Sequence, residues 1–243
     1  QRDALSILGR KLSSATKPEE AARIIQDVAD DLFGWAVFML DLYQAETDEV
    51  LPVLDVDTIN GKRVEFHPGS PTHPPSGMAR RVITQGAQLI LPESPAPMLP
   101  DAVPFGDTSR PSASLMLAPV RNPNKVIGIL AMHSYTPHAY TQDDLNTFQT
   151  MADHCGGALE RIQAERAFRE SEQRFRDLFE GSPDAIFVED LEGRVLDANP
   201  AACRLHKFSR AQLISKGVGE LVPAAKREEV LRQPTPRGRH EIG

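Results

Sequence analysis

The sequence predicts an α+β protein in three parts. An antiparallel sheet with helices on its faces comes first, then a long connector helix, then a smaller α/β unit. Three observations predict this. Apolar residues recur at three- and four-residue spacing in Ala4–Leu12, in Ala21–Leu32 and from Gln142 onward. Strand-like runs fall between the second and third of these stretches. A further pair of strand-like runs, Ala185–Glu189 and Arg194–Asp197, follows the long helix.

The elements can be justified in order. Ala4, Leu5, Leu8 and Leu12 mark one face of a first helix. Thr16 and Glu19 have the spacing of a capping box for a second helix, with Ala21, Ile24, Ile25, Val28 and Leu32 inward and Gly34 as its stop. Trp35–Tyr43 and Val50–Asp57 read as strands, and Lys62–Phe66 as a short third. Ser76 is placed to cap a helix through Gln85, ended by Gly86. Gln88–Leu91 is a brief strand. Leu115–Val120 and Lys125–Tyr135 form a hairpin about Asn122-Pro123-Asn124. Thr141 and Asp144 open a helix that runs to about Phe179. Two proline-rich stretches, His67–Gly77 and Pro92–Pro111, read as irregular.

The long helix carries two apolar stripes. Leu145, Phe148, Ala152, Cys155, Leu159 and Ile162 form the first. Ala164, Phe168, Ser171, Phe175 and Leu178 form the second, in shifted phase. The second stripe suits either a dimer seam or packing of Phe175, Leu178 and Phe179 on the following unit.

Beyond the helix, Leu191-Glu192-Gly193 is a tight turn. Asn199 can cap a helix whose first position holds Pro200, where the missing N–H costs nothing. Ile186, Phe187, Val188, Val195 and Leu196 read as core residues of the two strands.

Composition narrows the function. A net charge of −7 argues against a nucleic-acid surface, which needs a basic stripe. The longest apolar runs, Trp35–Leu40 and Val126–Met132, are too short to span a bilayer. Cys155 and Cys203 fall in different units, so no disulfide framework is suggested and a reducing cytoplasm is expected. The chain begins at Gln1, which reads as a piece of a longer protein. No HExxH, CxxC, GxxxxGK[ST], GxSxG or GxGxxG pattern occurs, so no catalysis is expected.

The run VIGILAMHSYTPHAYTQDDLNTFQTMADHCGGALERI (Val126–Ile162) resembles the end of a GAF domain, a sensory fold, and the likeness extends over residues 1–161. Residues 162–180 then form the connector. DAIFVEDLEGRVLDANPAACRL (Asp184–Leu205) resembles the first half of a PAS domain, so residues 181–243 read as an incomplete PAS-like unit. The join Ala167–Arg176 is similar to that in bacterial sensor histidine kinases. The resemblance implies a small ligand or protein partner in the GAF pocket, with the helix as relay and a homodimer formed through helices. The alternative is an interaction module that dimerises without a ligand. His133, on the last GAF strand, is the first candidate ligand contact, joined by Met116, Phe38 and Met78. The cofactor is unknown. The bilin, cyclic-nucleotide and methionine-sulfoxide-reductase forms of GAF domain each need residues that are missing or out of place. Flavin- and haem-binding PAS motifs are likewise not matched.

Overall fold

The computed structural model describes residues 2–66, 71–92, 107, 109–123, 125–214 and 216–222. The chain divides into two compact units, residues 1–166 and 167–243.

The first unit opens with α1 (Arg2–Leu12) and α2 (Pro18–Phe33). The start of α2 differs from the expected Thr16–Glu19 box. Pro18 takes the first helical turn, which makes Lys17 the N-cap. Glu20, one residue later than expected, then reaches back and accepts from the Thr16 N–H at 2.8 Å. Gly34 ends the helix at φ 63°, donating to the Asp30 carbonyl.

Five strands and a helix follow before the closing strand. They are β1 (Val37–Gln44), β2 (Glu49–Ile59), β3 (Lys62–Phe66), α3 (Gly77–Gln85), β4 (Gln88–Ile90), β5 (Ser114–Asn122) and, last, β6 (Lys125–Ser134). Their order in the sheet is β3-β2-β1-β6-β5-β4, and every pairing is antiparallel. Asn60 and Gly61, at φ 49° and 73°, make the two-residue turn that joins β2 to β3. Ser76 caps α3 as expected, accepting from the Ala79 N–H. Most of the two proline-rich stretches lies outside the described residues.

The sheet has two unlike faces. Phe38, Leu40, Leu54, Val56, Met116, Ala118, Val120, Leu130 and Met132 point to one side. There they meet Leu8 from α1, Ile25 from α2, and Phe148, Met151 and Leu159 from α4 (Gln142–Gly181) in a single core. The two N-terminal helices and the Gln142 helix thus share one face. Side chains of this size contribute about 2 kcal/mol each when fully buried. The other face carries Val50, Leu115, Leu117, Ile129 and Ala131 against Val82 of α3.

The Thr141–Asp144 box starts α4. Thr141 Oγ1 accepts from the Asp144 N–H at 3.2 Å, and the Asp144 carboxylate accepts from the Thr141 N–H at 2.8 Å. Gly156 lets this helix press onto the sheet, because a β-carbon there would overlap the Arg121 backbone carbonyl.

The second unit continues from the end of α4 into β7 (Phe187–Glu189), β8 (Val195–Ala198) and three short helices. These are α5 (Pro200–His206), α6 (Arg210–Leu213) and α7 (Val218–Leu221). Asn199 caps α5 as predicted, and it does more. Its Oδ1 accepts from the N–H groups of Ala202 and Ile186, at 2.9 and 3.0 Å. Its Nδ2 donates to the carbonyls of Phe179 and Asp184, at 3.0 and 2.9 Å. One fully buried amide therefore ties the end of α4, both strands and α5 together.

The five expected strand-core residues need correction. Val195 is buried and Phe187 packs against its cluster. Ile186, Val188 and Leu196 are exposed. Side chains alternate along a strand, so the neighbours of inward residues must face out. All five could not share one face.

Three outcomes follow from the packing. Gly156→Ala should cost roughly 2–3 kcal/mol in chemical denaturation through overpacking. Gly157→Ala, where a β-carbon meets nothing within 4 Å, should be neutral or gain up to ~1 kcal/mol from helix propensity. Asn199→Ala strands buried backbone groups and should lower the stability of the second unit by roughly 2–3 kcal/mol, read by denaturation of the full chain.

Candidate functional site

The register of the sheet lays out the face opposite the three helices, since residues paired across strands point to the same side. One row reads Val64, Asp57, Val37, His133, Leu115 and Ile90 from β3 to β4. The next reads Phe66, Asp55, Met39, Ala131, Leu117 and Gln88. A third reads Pro52, Asp41, Ile129 and Pro119. Three carboxyl groups thus stand on β1 and β2 amid apolar neighbours. Met78, Val82 and Ile83 of α3 pack on the β5 and β6 side of the same face.

The first row is organised around Asp57, which is 1% exposed. Its carboxylate accepts from the Tyr135 hydroxyl and from the Asp107 N–H, both at 2.7 Å. The Arg110 guanidinium stacks 3.9 Å from the centre of the Tyr135 ring. Ser112 Oγ and His133 Nδ1 are hydrogen-bonded at 3.1 Å.

Burial sets the protonation states. It pushes His133 down to about 4, an effect that the Asp57 charge only partly offsets, so the imidazole is neutral at pH 7. Burial, and then the bond to Asp57, push the Tyr135 hydroxyl up. Asp41 is raised to about 7, first by burial and then by the neighbouring Asp55 charge. Part of the Asp41 side chain still meets solvent, which tempers the cost.

Chemically, this face offers carboxyl oxygens and a neutral imidazole on an apolar floor. It suits a small molecule that has an apolar body and hydrogen-bond donors. Among the described residues no group of His, Cys, Asp and Glu could hold a metal ion. Cys155 is on α4 and fully buried, and burial pushes its thiol up to about 12, so it is not a thiolate.

The structure brings two of the four sequence-named residues together. His133 and Met78 belong to this face. Phe38 and Met116 lie on the other face, 0% exposed within the helix-side core. Sequence reasoning missed Asp41, Asp55, Asp57 and Tyr135. A signal was available in Leu54–Thr58, LDVDT, where carboxylates alternate with apolar residues along a strand paired on both edges.

Residues 15–160 match the family model described as GAF domain, and residues 173–238 match one described as PAS domain. A curated relative is the methyl sulfide methyltransferase-associated sensor of Methanosarcina acetivorans. It is 25% identical over 101 residues, which are 41% of this chain and 10% of that protein. Among solved structures, the GAF domain of a Coxiella burnetii phosphoenolpyruvate-protein phosphotransferase superposes with a TM-score of 0.54 at 14% identity, covering 68% of this chain and 96% of that one. A methyl-accepting chemotaxis protein fragment, residues 122 to 287, gives 0.51 at 18% identity, covering 67% and 99%. At these identities the structural likeness shows the fold alone.

The raised Asp41 carboxyl and the lowered His133 imidazole have opposite effects on stability. Folded Asp41 holds a proton that the unfolded chain releases near pH 4, so its contribution falls as pH rises from about 4 to 7. Folded His133 refuses a proton that the unfolded chain takes below about 6.5, so its contribution rises with pH from about 4 to 6.5. The two oppose each other in wild type. Asp41→Asn should be more stable at pH 8 by on the order of 2 kcal/mol. It should also show stability climbing from pH 4 to 6.5, measured by urea denaturation across that range. A variant whose pH profile parallels wild type would contradict this assignment.

Proposed function

The chain belongs to the GAF domain family, and from that premise we propose that it is the sensory and regulatory module of a bacterial signal-transduction protein. A small ligand or a partner engages the sheet face of Asp41, Asp55, Asp57 and His133, and α4 relays the event. The observation that carries this reading is the contrast between the faces. One is sealed by three helices, while the other gathers polar groups that a solely structural sheet would not need. The PAS match after the connector supports a relay, because α4 runs from the first unit into the second as one helix of 40 residues. Ligand binding can shift such a relay only through different affinities for two states.

The parent protein, on this reading, is a cytoplasmic sensor histidine kinase of a two-component system, and this chain contributes no catalysis of its own. No helix among the described residues is long and apolar enough to cross a membrane. The test is thermal unfolding of the chain during titration with candidate small molecules that carry amine or amide donors. A ligand at 100 times its Kd should add about 2.7 kcal/mol of stability. That gain should vanish in Asp41→Asn or Asp57→Asn. A stabilising ligand that ignores both substitutions binds elsewhere.

A second reading is a module that dimerises through helices and takes no ligand. Phe168, Phe175 and Leu178 favour it, being 69%, 61% and 69% exposed on α4. Phe179, by contrast, is buried, and Phe175 stacks on it at 5.7 Å. Phe168 and Phe175 lie seven residues apart, the spacing of a helix-pair seam. Replacing both with glutamate should shift light scattering at low micromolar concentration from dimer to monomer. A variant that stays dimeric places the interface away from this stripe.

A further inference from the structure

We infer that Asn60-Gly61, the turn between β2 and β3, is a site of self-modification, where the Asn60 amide is lost and the main chain is rerouted through that side chain. The inference stands apart from the sensory reading above, because it needs neither a ligand nor a partner.

The sequence holds five asparagines, and the residue after each decides its chemistry. Loss of the amide begins when the next main-chain nitrogen attacks the side-chain carbonyl carbon. Asn122 and Asn199 precede proline, which has no N–H to give up. Asn124 and Asn146 precede Lys125 and Thr147, whose side chains crowd the attacking nitrogen. Asn60 alone precedes glycine, which has no β-carbon to obstruct the attack.

The fold leaves this pair open. Asn60 and Gly61 are both exposed, at the tip of a hairpin whose second strand is an edge of the sheet. A β-carbon built on Gly61 would meet nothing within 4 Å. Among the described residues none hydrogen-bonds the Asn60 side chain. Asn199, by contrast, is 0% exposed and its amide is held by Phe179, Asp184, Ile186 and Ala202. Ring closure at Asn60 needs rotation about its Cα–C bond, out of the turn geometry. A hairpin tip at a sheet edge permits this by opening locally, without global unfolding.

The reaction needs no reagent but water. The Gly61 nitrogen bonds to Asn60 Cγ, the Cγ–Nδ2 bond breaks, and ammonia leaves with the Gly61 amide proton. Water then opens the cyclic imide at either carbonyl. Opening at Cγ leaves aspartate with the chain path unchanged, and aspartate before glycine suits this turn. Opening at the main-chain carbonyl leaves isoaspartate, with the chain running through Cγ. Both products add one negative charge. Isoaspartate also adds a methylene to the main chain, so the turn no longer matches the Ile59–Lys62 register. β3 then loosens, although Arg63 and Glu65 still pair with Asp30 and Arg23 of α2. Its neighbour β2 carries Asp55 and Asp57, so the change reaches the border of the polar face.

The full chain aged in neutral buffer and mapped by peptide mass spectrometry tests this. Asn60 should be modified at least about tenfold faster than Asn124 or Asn146. The rate should increase on the alkaline side of neutrality, because the attacking nitrogen must lose its proton. Isoaspartate is counted by methyl transfer from S-adenosylmethionine with an isoaspartyl methyltransferase. Gly61→Ala should slow the reaction about tenfold by crowding the nitrogen. Since alanine is strained at φ 73°, Asn60→Asp provides a second variant that keeps the turn and has no amide to lose. In the isoaspartate fraction the β3 amides should exchange at least about tenfold faster than in fresh protein or in Asn60→Asp. The Thr58 amide, which donates to the Ala36 carbonyl at 2.9 Å, should keep its rate. A native chain that keeps Asn60 intact while the urea-unfolded chain loses it overturns the site. Unchanged β3 exchange in the isoaspartate fraction overturns its effect on the hairpin.

Discussion

Strand alternation ties the two faces of the sheet together, and the rest of the first unit depends on that tie. Phe38 and Leu40 turn toward the helices, so Val37, Met39 and Asp41 must turn away. Leu54 and Val56 do the same to Asp55 and Asp57. A one-residue slip in β1 or β2 would drive carboxylates into the core of Ile25 and Phe148. Filling one face with large apolar side chains thus holds the register that gathers the polar groups on the other. Gly156 belongs to the same constraint, because it lets α4 come close enough to close the apolar side.

Local signals were legible in the sequence, and long-range ones were not. Ser76 and Gly86 delimited α3, Thr141 and Asp144 opened α4, and Asn199-Pro200 opened α5. Each depends on contacts within a few residues. The Thr16 cap was displaced by one residue because Pro18 claimed the first turn. The facing of strand residues was harder. Phe38 and Met116 are apolar strand residues like Met39 and Leu117, and only the register separates them. The Asp57 cluster draws on Tyr135 and Asp107, 78 and 50 residues away. No local pattern announces such a meeting. Asn199 shows both cases at once. Its cap on α5 was visible, while its bonds to Phe179 and Asp184 required the fold.

The long helix meets two environments. Its first stripe, including Leu145, Phe148, Leu159 and Ile162, is buried in the core of the first unit. Its later stripe leaves Phe168, Phe175 and Leu178 exposed, whereas Phe179 is buried. Asn199 Nδ2 donates to the Phe179 carbonyl near the end of the helix at 3.0 Å.

Methionine methyl groups sample both faces, which gives the most direct test of the central claim. Met116, Met132 and Met151 are fully buried on the helix side, while Met39 and Met78 are partly buried on the polar side. A chain labelled with carbon-13 at the methionine methyls can be titrated with a neutral gadolinium chelate and followed by NMR. The account predicts clear paramagnetic broadening at Met39 and Met78, with Met116, Met132 and Met151 left sharp. Broadening of Met116 or Met132 equal to that of Met39 would mean that the helix face is not sealed, and the division of the sheet into a core side and a polar side would fall.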